Sequence, residues 1–152
     1  MEINEYICLY LITYVKESKI MTEALEEITK EETDTARLCM KEKRSFTQLA
    51  AKDSLSIYFI YIPDVETFLR FNKEFLTSDR QPPLHFIVIC SEITHELMTL
   101  SYKYKIRALA FIDSANSTYT CKREIKECID YVRTIQTHLE KRREMYYDFS
   151  SN

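Results

Sequence analysis

The stretch Leu55-Ser56-Ile57-Tyr58-Phe59-Ile60-Tyr61-Ile62-Pro63 decides the fold. Apart from Ser56 and the closing proline, every residue is leucine, β-branched or aromatic. The run lies between the polar Lys52-Asp53-Ser54 and the turn formers Pro63-Asp64. An apolar run of strand length with no polar alternation predicts a strand covered on both faces, as in a parallel sheet. In an open parallel sheet, ligands and chemistry gather at the carboxyl ends of the central strands. Tyr61 stands at that end, and most of the functional reading turns on it.

Working outward, the same kind of run recurs. Residues 5–12 (EYICLYLI), Leu84 to Cys90 (LHFIVIC) and Ala108 to Ile112 (ALAFI) read as strands, and Thr35 to Met40 as a short weak one. Between them lie stretches of helical spacing. Val15, Met21, Ala24, Leu25 and Ile28 mark a helix over 15–30. Ser45 caps a short helix through Ala51. Pro63-Asp64 opens a helix with the stripe Val65, Phe68, Leu69, Phe75 and Leu76. Ser91 caps another over 92–104, with Ile93, Leu97, Leu100 and Tyr104 inward. A long last helix runs from Thr120 to Glu144. The alternation of strands and helices predicts an α/β domain: a doubly wound, five-strand parallel sheet of order 2-1-3-4-5, flavodoxin-like, with an extended C-terminal helix.

That helix carries Ile125, Cys128, Val132, Ile135 and Leu139, stepping by three and four. This is an a/d seam, which packs on the sheet or continues outward as a dimer contact. Residues 1–140 read as one domain. Residues 141–152, with the basic Lys141-Arg142-Arg143 and the closing YYDFSSN, read as a linker that starts an extended segment.

Composition narrows the function classes. The chain has 152 residues, 45% hydrophobic and 30% charged, with net charge -3, so no basic surplus predicts a nucleic-acid surface. No apolar run is long enough to span a bilayer, and the start MEINEYICLYLIT lacks a positive n-region. Five cysteines (Cys8, Cys39, Cys90, Cys121, Cys128) with no CxxC pair read as reduced thiols in a cytoplasmic protein. Glycine is absent, which excludes GxGxxG and Walker-type phosphate loops. Turns at positive φ must then use residues such as Asp79, Asp113 or Asn116.

The second half resembles a known family. The run FIVICSEITHELMTLSYKYKIRALAFIDS, the later REIKECIDYV, and YYDFSSN at the end resemble the receiver domain of LytTR-class response regulators of the ComE and AgrA type, used in peptide quorum sensing. Over residues 1–60 only the order and lengths of the elements agree. The resemblance implies a CheY-like fold, a sensor histidine kinase as partner, homodimerisation as output, and DNA binding only through a C-terminal LytTR domain beyond this chain. It also implies a site. Two acids after the first strand and an aspartate ending the third hold Mg²⁺ through hard oxygens. The aspartate attacks a phosphohistidine. A Thr or Ser ending the fourth strand and a Lys ending the fifth bind the phosphoryl oxygens.

Carried over by position, the acid pair falls at Ile12-Thr13, the phosphoacceptor at Tyr61, the hydroxyl at Cys90, the lysine at Ser114 and the switch aromatic at Phe111. None of the chelating or phosphoryl-binding groups is present. The chain therefore reads as a pseudo-receiver: no catalytic residue, no metal, no cofactor, and regulation independent of phosphorylation. Asp64 and Asp113 are the nearest substitute carboxylates. Tyr61 fills the volume of the absent metal, or mimics the activated state by sharing one rotamer arrangement with Phe111.

Other constellations carry less chemistry. Cys90 followed by Ser91, with His95 beyond, lacks the Arg-bearing loop of a cysteine phosphatase and reads as a buried thiol. His85, His95 and His138 share no ligand spacing. Tyr102, Lys103, Lys105 and Arg107 form a basic-aromatic cluster where receivers of this kind pair, so they join Val132, Ile135 and Leu139 as dimer-interface candidates. Glu23, Glu26, Glu27, Glu31 and Glu32 read as a solvated face. Two other readings stand beside the main one: a stand-alone decoy that binds a kinase or a true response regulator, and a small flavodoxin-like enzyme.

Overall fold

The computed structural model describes residues 7–31, 41–43, 55–77, 85–92 and 94–150, with the backbone alone at 41–43, 55, 76–77, 85, 139–140 and 143–150. The elements, in order, are β1 (Ile7–Thr13), α1 (Lys19–Glu31), β2 (Lys41–Lys43), β3 (Leu55–Tyr61), α2 (Val65–Thr77), β4 (His85–Ser91), α3 (His95–Lys103), β5 (Ala110–Asp113) and α4 (Thr118–Ser150). The domain is α/β, and all strand pairings are parallel. The pairings give one sheet in the order β2-β1-β3-β4-β5.

β3 shows why its sequence lacks polar alternation. Ile57, Phe59 and Tyr61 pack on one side of the sheet with α1 and α4, together with Met21, Leu25, Ile125 and Ile129. Tyr58 and Ile60 pack on the other with α2 and α3, against Phe68, Phe71 and Leu97. Ile57, Phe59 and Ile60 are fully buried. Each contributes roughly 1.5–3 kcal/mol of apolar burial. Tyr58 stacks on Tyr10 of β1 with ring centroids 5.0 Å apart, and burial pushes its phenol well above the ordinary range.

Several expectations shift. The first helix starts at Lys19, capped by the Ser18 hydroxyl, which accepts from Met21 N at 3.3 Å. Val15 therefore lies in the preceding loop, 69% exposed, and not on the helix. In α2 the inward positions are Phe68 and Phe71, whereas Val65 and Leu69 face solvent. The second strand pairs at Lys41–Lys43; Thr35 to Met40 and the helix placed at 45–51 lie outside the described residues. Ser91 is the last residue of β4, and Thr94 caps α3 by accepting from Leu97 N. The last helix begins at Thr118 and continues through Ser150, so 146–150 is helical rather than extended.

Among the described residues, the positive φ falls on Lys105 (54°), not on Asp113 or Asn116; Asp79 lies outside them. Lys105 ends α3 in the left-handed conformation. Tyr104 N donates to the Leu100 carbonyl, and Ile106 N donates back to the Ser101 carbonyl, both at 3.0 Å. This is the helix-closing geometry that glycine usually supplies.

Candidate functional site: the carboxyl rim of the sheet

Parallel pairing brings the carboxyl ends of β1, β3, β4 and β5 to one rim. Thr13 pairs with Tyr61, Tyr61 with Cys90, and Cys90 with Ile112; next to them Ser91 pairs with Asp113. The residues singled out from the sequence at the ends of β1, β3 and β4 thus lie side by side. Their chemistry is apolar or neutral. Ile12 and Cys90 are fully buried and Thr13 nearly so. Tyr61 is half-buried against the α1/α4 core.

Cys90 is enclosed. Its burial pushes the thiol well above the ordinary range, and the neighbouring Cys121, Cys128 and Glu124 push the same way. A thiol held in that form is a poor nucleophile. Burial likewise raises Cys121, and lifts Cys128 to about 11.

The rim is stitched by Ser91, whose role the sequence did not reveal. Its hydroxyl donates to the Ile62 carbonyl at 2.5 Å. Ile62 N donates to the Cys90 carbonyl at 2.9 Å, and Ser114 N donates to the Ser91 carbonyl at 3.0 Å. Ser114 therefore meets the rim through its backbone. The two nearby carboxylates are engaged locally. Asp64 Oδ1 accepts from Thr67 N at 2.8 Å and from Thr67 Oγ1 at 2.6 Å, so it caps α2. Those two bonds, the hydroxyl's first, hold its carboxyl below the ordinary range, with Lys16 adding to the effect. The Asp64-x-x-Thr67 spacing was the signal for this cap. Asp113 Oδ1 accepts from Ala115 N at 3.0 Å and fixes the turn after β5.

Magnesium demands nearly octahedral oxygen ligation with carboxylates among the ligands. Isoleucine, threonine and tyrosine at the rim do not fit it. Among the described residues, no group of three or more His, Cys, Asp or Glu is placed to hold a metal ion.

Phe111 corrects the rotamer lock considered for Tyr61. It packs against the α2/α3 core, whereas Tyr61 packs against the α1/α4 core. The two rings lie on opposite faces of the sheet.

Two hollows flank the rim and the β5 edge. A cavity of about 160 Å³ opens between α2 and α3, with Ile62, Phe68 and Leu97 in its walls and Asp64, Glu92 and Glu96 around it. A shallower hollow of about 510 Å³ runs along β5 and α4, lined by Phe111, Glu124, Glu127 and Tyr131. Near β5, Tyr102 is 88% exposed, and Lys103, Lys105 and Arg107 are exposed too. Val132 belongs to the core with no exposure, so it is not an interface residue. Ile135 is half-buried, and the side chain of Leu139 lies outside the described residues.

The acidic face of α1 is not simply solvated. Lys122 of α4 pairs with both Glu27 and Glu31, and Lys126 pairs with Glu31 at 3.0 Å. The Lys122 bond, then that of Lys126, lowers the Glu31 carboxyl, and the Glu31 bond raises Lys122. Glu32 lies outside the described residues.

The chain matches no family model, and no curated protein is significantly similar to it in sequence. Among the described residues, no helix is long and apolar enough to cross a membrane.

Proposed function

We propose that this chain is a pseudo-receiver: a regulatory domain with a doubly wound, CheY-like topology that acts through homodimerisation and without a phosphate-driven switch. The reading rests on its likeness to LytTR-class receivers over the second half of the sequence. The observation that carries it is the row Thr13–Tyr61–Cys90 across the carboxyl rim. In a working receiver those places hold an acid, the phosphoacceptor and a hydroxyl. Here they hold a buried alcohol, a phenol and a thiol kept protonated by burial. No carboxylate nucleophile lines the row; of the two nearby ones, Asp64 caps a helix and Asp113 fixes the turn after β5.

Such a rim favours a fold retained for protein contact. The hollow along β5 and α4 and the exposed Tyr102, Lys103, Lys105 and Arg107 suit a partner surface. A sensor kinase would meet the domain near α1, and DNA would be bound by a separate C-terminal domain.

The test is the mass in solution, measured by light scattering at micromolar concentration with and without beryllofluoride and Mg²⁺. The expected result is a dimer in all conditions. A monomer that dimerises only with beryllofluoride and Mg²⁺ would restore a phosphate-responsive receiver, and a monomer throughout would favour the decoy reading.

A further inference from the structure

β5 is the last strand of the sheet, and among the described residues no strand flanks its outer side. On the inner side Leu109 N donates to the Ile87 carbonyl at 2.7 Å. Backbone groups turn alternately to the two sides of a strand, so Ala110 and Ile112 turn their N–H and C=O groups outward. Such an edge is a template for one more strand.

Beside that edge lies the hollow of about 510 Å³, walled by Ala110, Phe111, Ile112 and Cys128. Glu124, Glu127 and Tyr131 line it as well. They stand three and four residues apart, so α4 presents them on one face. Tyr131 is half-exposed. Oε2 of Glu124 is enclosed by protein, yet among the described residues no donor reaches it. An enclosed carboxylate oxygen without a donor is costly, and a cation carrying N–H groups offsets that cost. Among the described residues, the walls of the hollow hold no lysine or arginine. Lys122 and Lys126 of α4 are committed to Glu27 and Glu31 of α1.

We infer that the β5 edge takes an extended segment of a partner protein as an added strand, with an arginine of that segment seated against Glu124 and Glu127. Strand addition draws affinity from main-chain bonds and specificity from the side-chain pocket beside them. A guanidinium suits the place better than an ammonium, because it forks between two carboxylates and stacks on an aromatic ring such as that of Tyr131. A second copy is a poorer occupant. Its own edge has no cation from Ala108 to Asp113, so edge-to-edge pairing leaves Glu124 unmet. The inference rests on the reading of this edge as a partner surface and does not require the homodimer.

The experiment follows the amide NMR spectrum of the isotope-labelled, full-length chain as a blocked peptide, acetyl-Thr-Val-Arg-Val-Thr-amide, is added. Saturable shifts at the Ala110 and Ile112 amides are expected. The same peptide with citrulline, the neutral isostere of arginine, should bind roughly tenfold more weakly. N-methylation of alternate peptide residues should abolish binding in one phase and spare it in the other, as a strand requires. Glu124→Gln should weaken the arginine peptide about tenfold and leave the citrulline peptide unchanged. The variant's melting temperature should stay level or rise, since no internal partner is lost. The inference is overturned if the arginine and citrulline peptides bind alike, if both methylation phases bind alike, or if millimolar peptide leaves Ala110 and Ile112 unmoved. It is also overturned if those two amides are protected from exchange in the free chain and released on dilution, which would put a second copy on the edge. A peptide that fails on a chain shown dimeric by light scattering strikes this inference alone; one that binds a monomeric chain strikes the homodimer alone.

Discussion

Tyr61 and Asp64 sit three residues apart, and their environments assign them different work. Tyr61 contributes ring packing against the α1/α4 core. Tyr61→Phe should therefore change stability by less than about 0.5 kcal/mol. Tyr61→Asp should cost roughly 2–4 kcal/mol, because it deletes the ring and places a charge in a half-buried row. Urea unfolding distinguishes the two. Asp64→Ala removes a cap and should cost about 1 kcal/mol at neutral pH. The folded-state pKa of Asp64 is depressed, so its contribution is present above the unfolded value and is lost as pH falls through the folded one. The stability gap between wild type and Asp64→Ala should close as pH drops below the ordinary value of 3.8; a gap that widens in acid would contradict the cap.

At the scale of elements, the end of α3 offers a direct check on backbone strain. Lys105 holds φ 54° in a chain without glycine. A non-glycine residue in that region costs roughly 1 kcal/mol. Lys105→Gly should raise stability, with a melting temperature higher by roughly 2–4 °C, whereas Lys105→Ala should leave it unchanged. The position was not legible in the sequence, where Asp and Asn looked better suited. The bonds from Tyr104 and Ile106 back into α3 override that local preference. The central strand, by contrast, was legible from Leu55 to Tyr61, because a run covered on both faces lacks the polar alternation of a half-exposed strand. Helix boundaries were less so. Val15 fitted the helical spacing but falls in the loop, since Ser18 supplies the stronger start signal. The α1–α4 ion pairs could not be read at all, because Glu31 and Lys122 meet only through the tertiary fold.

For the molecule as a whole, the sequence placed Ile12, Thr13, Tyr61 and Cys90 at strand ends. The sheet register brings the last three into one row. What the sequence hid was Ser91, a buried hydroxyl that binds β3 to β4 and reads locally as a helix cap. It also hid the separation of Tyr61 from Phe111 by the thickness of the sheet, which follows from strand parity once β3 and β5 lie in one sheet. The most direct measurement is the intact mass of the wild-type chain, and of Tyr61→Asp, after incubation with acetyl phosphate and Mg²⁺. The expected result is that both remain unmodified. A phosphoprotein formed by the wild-type chain at Asp64 or Asp113 would contradict it.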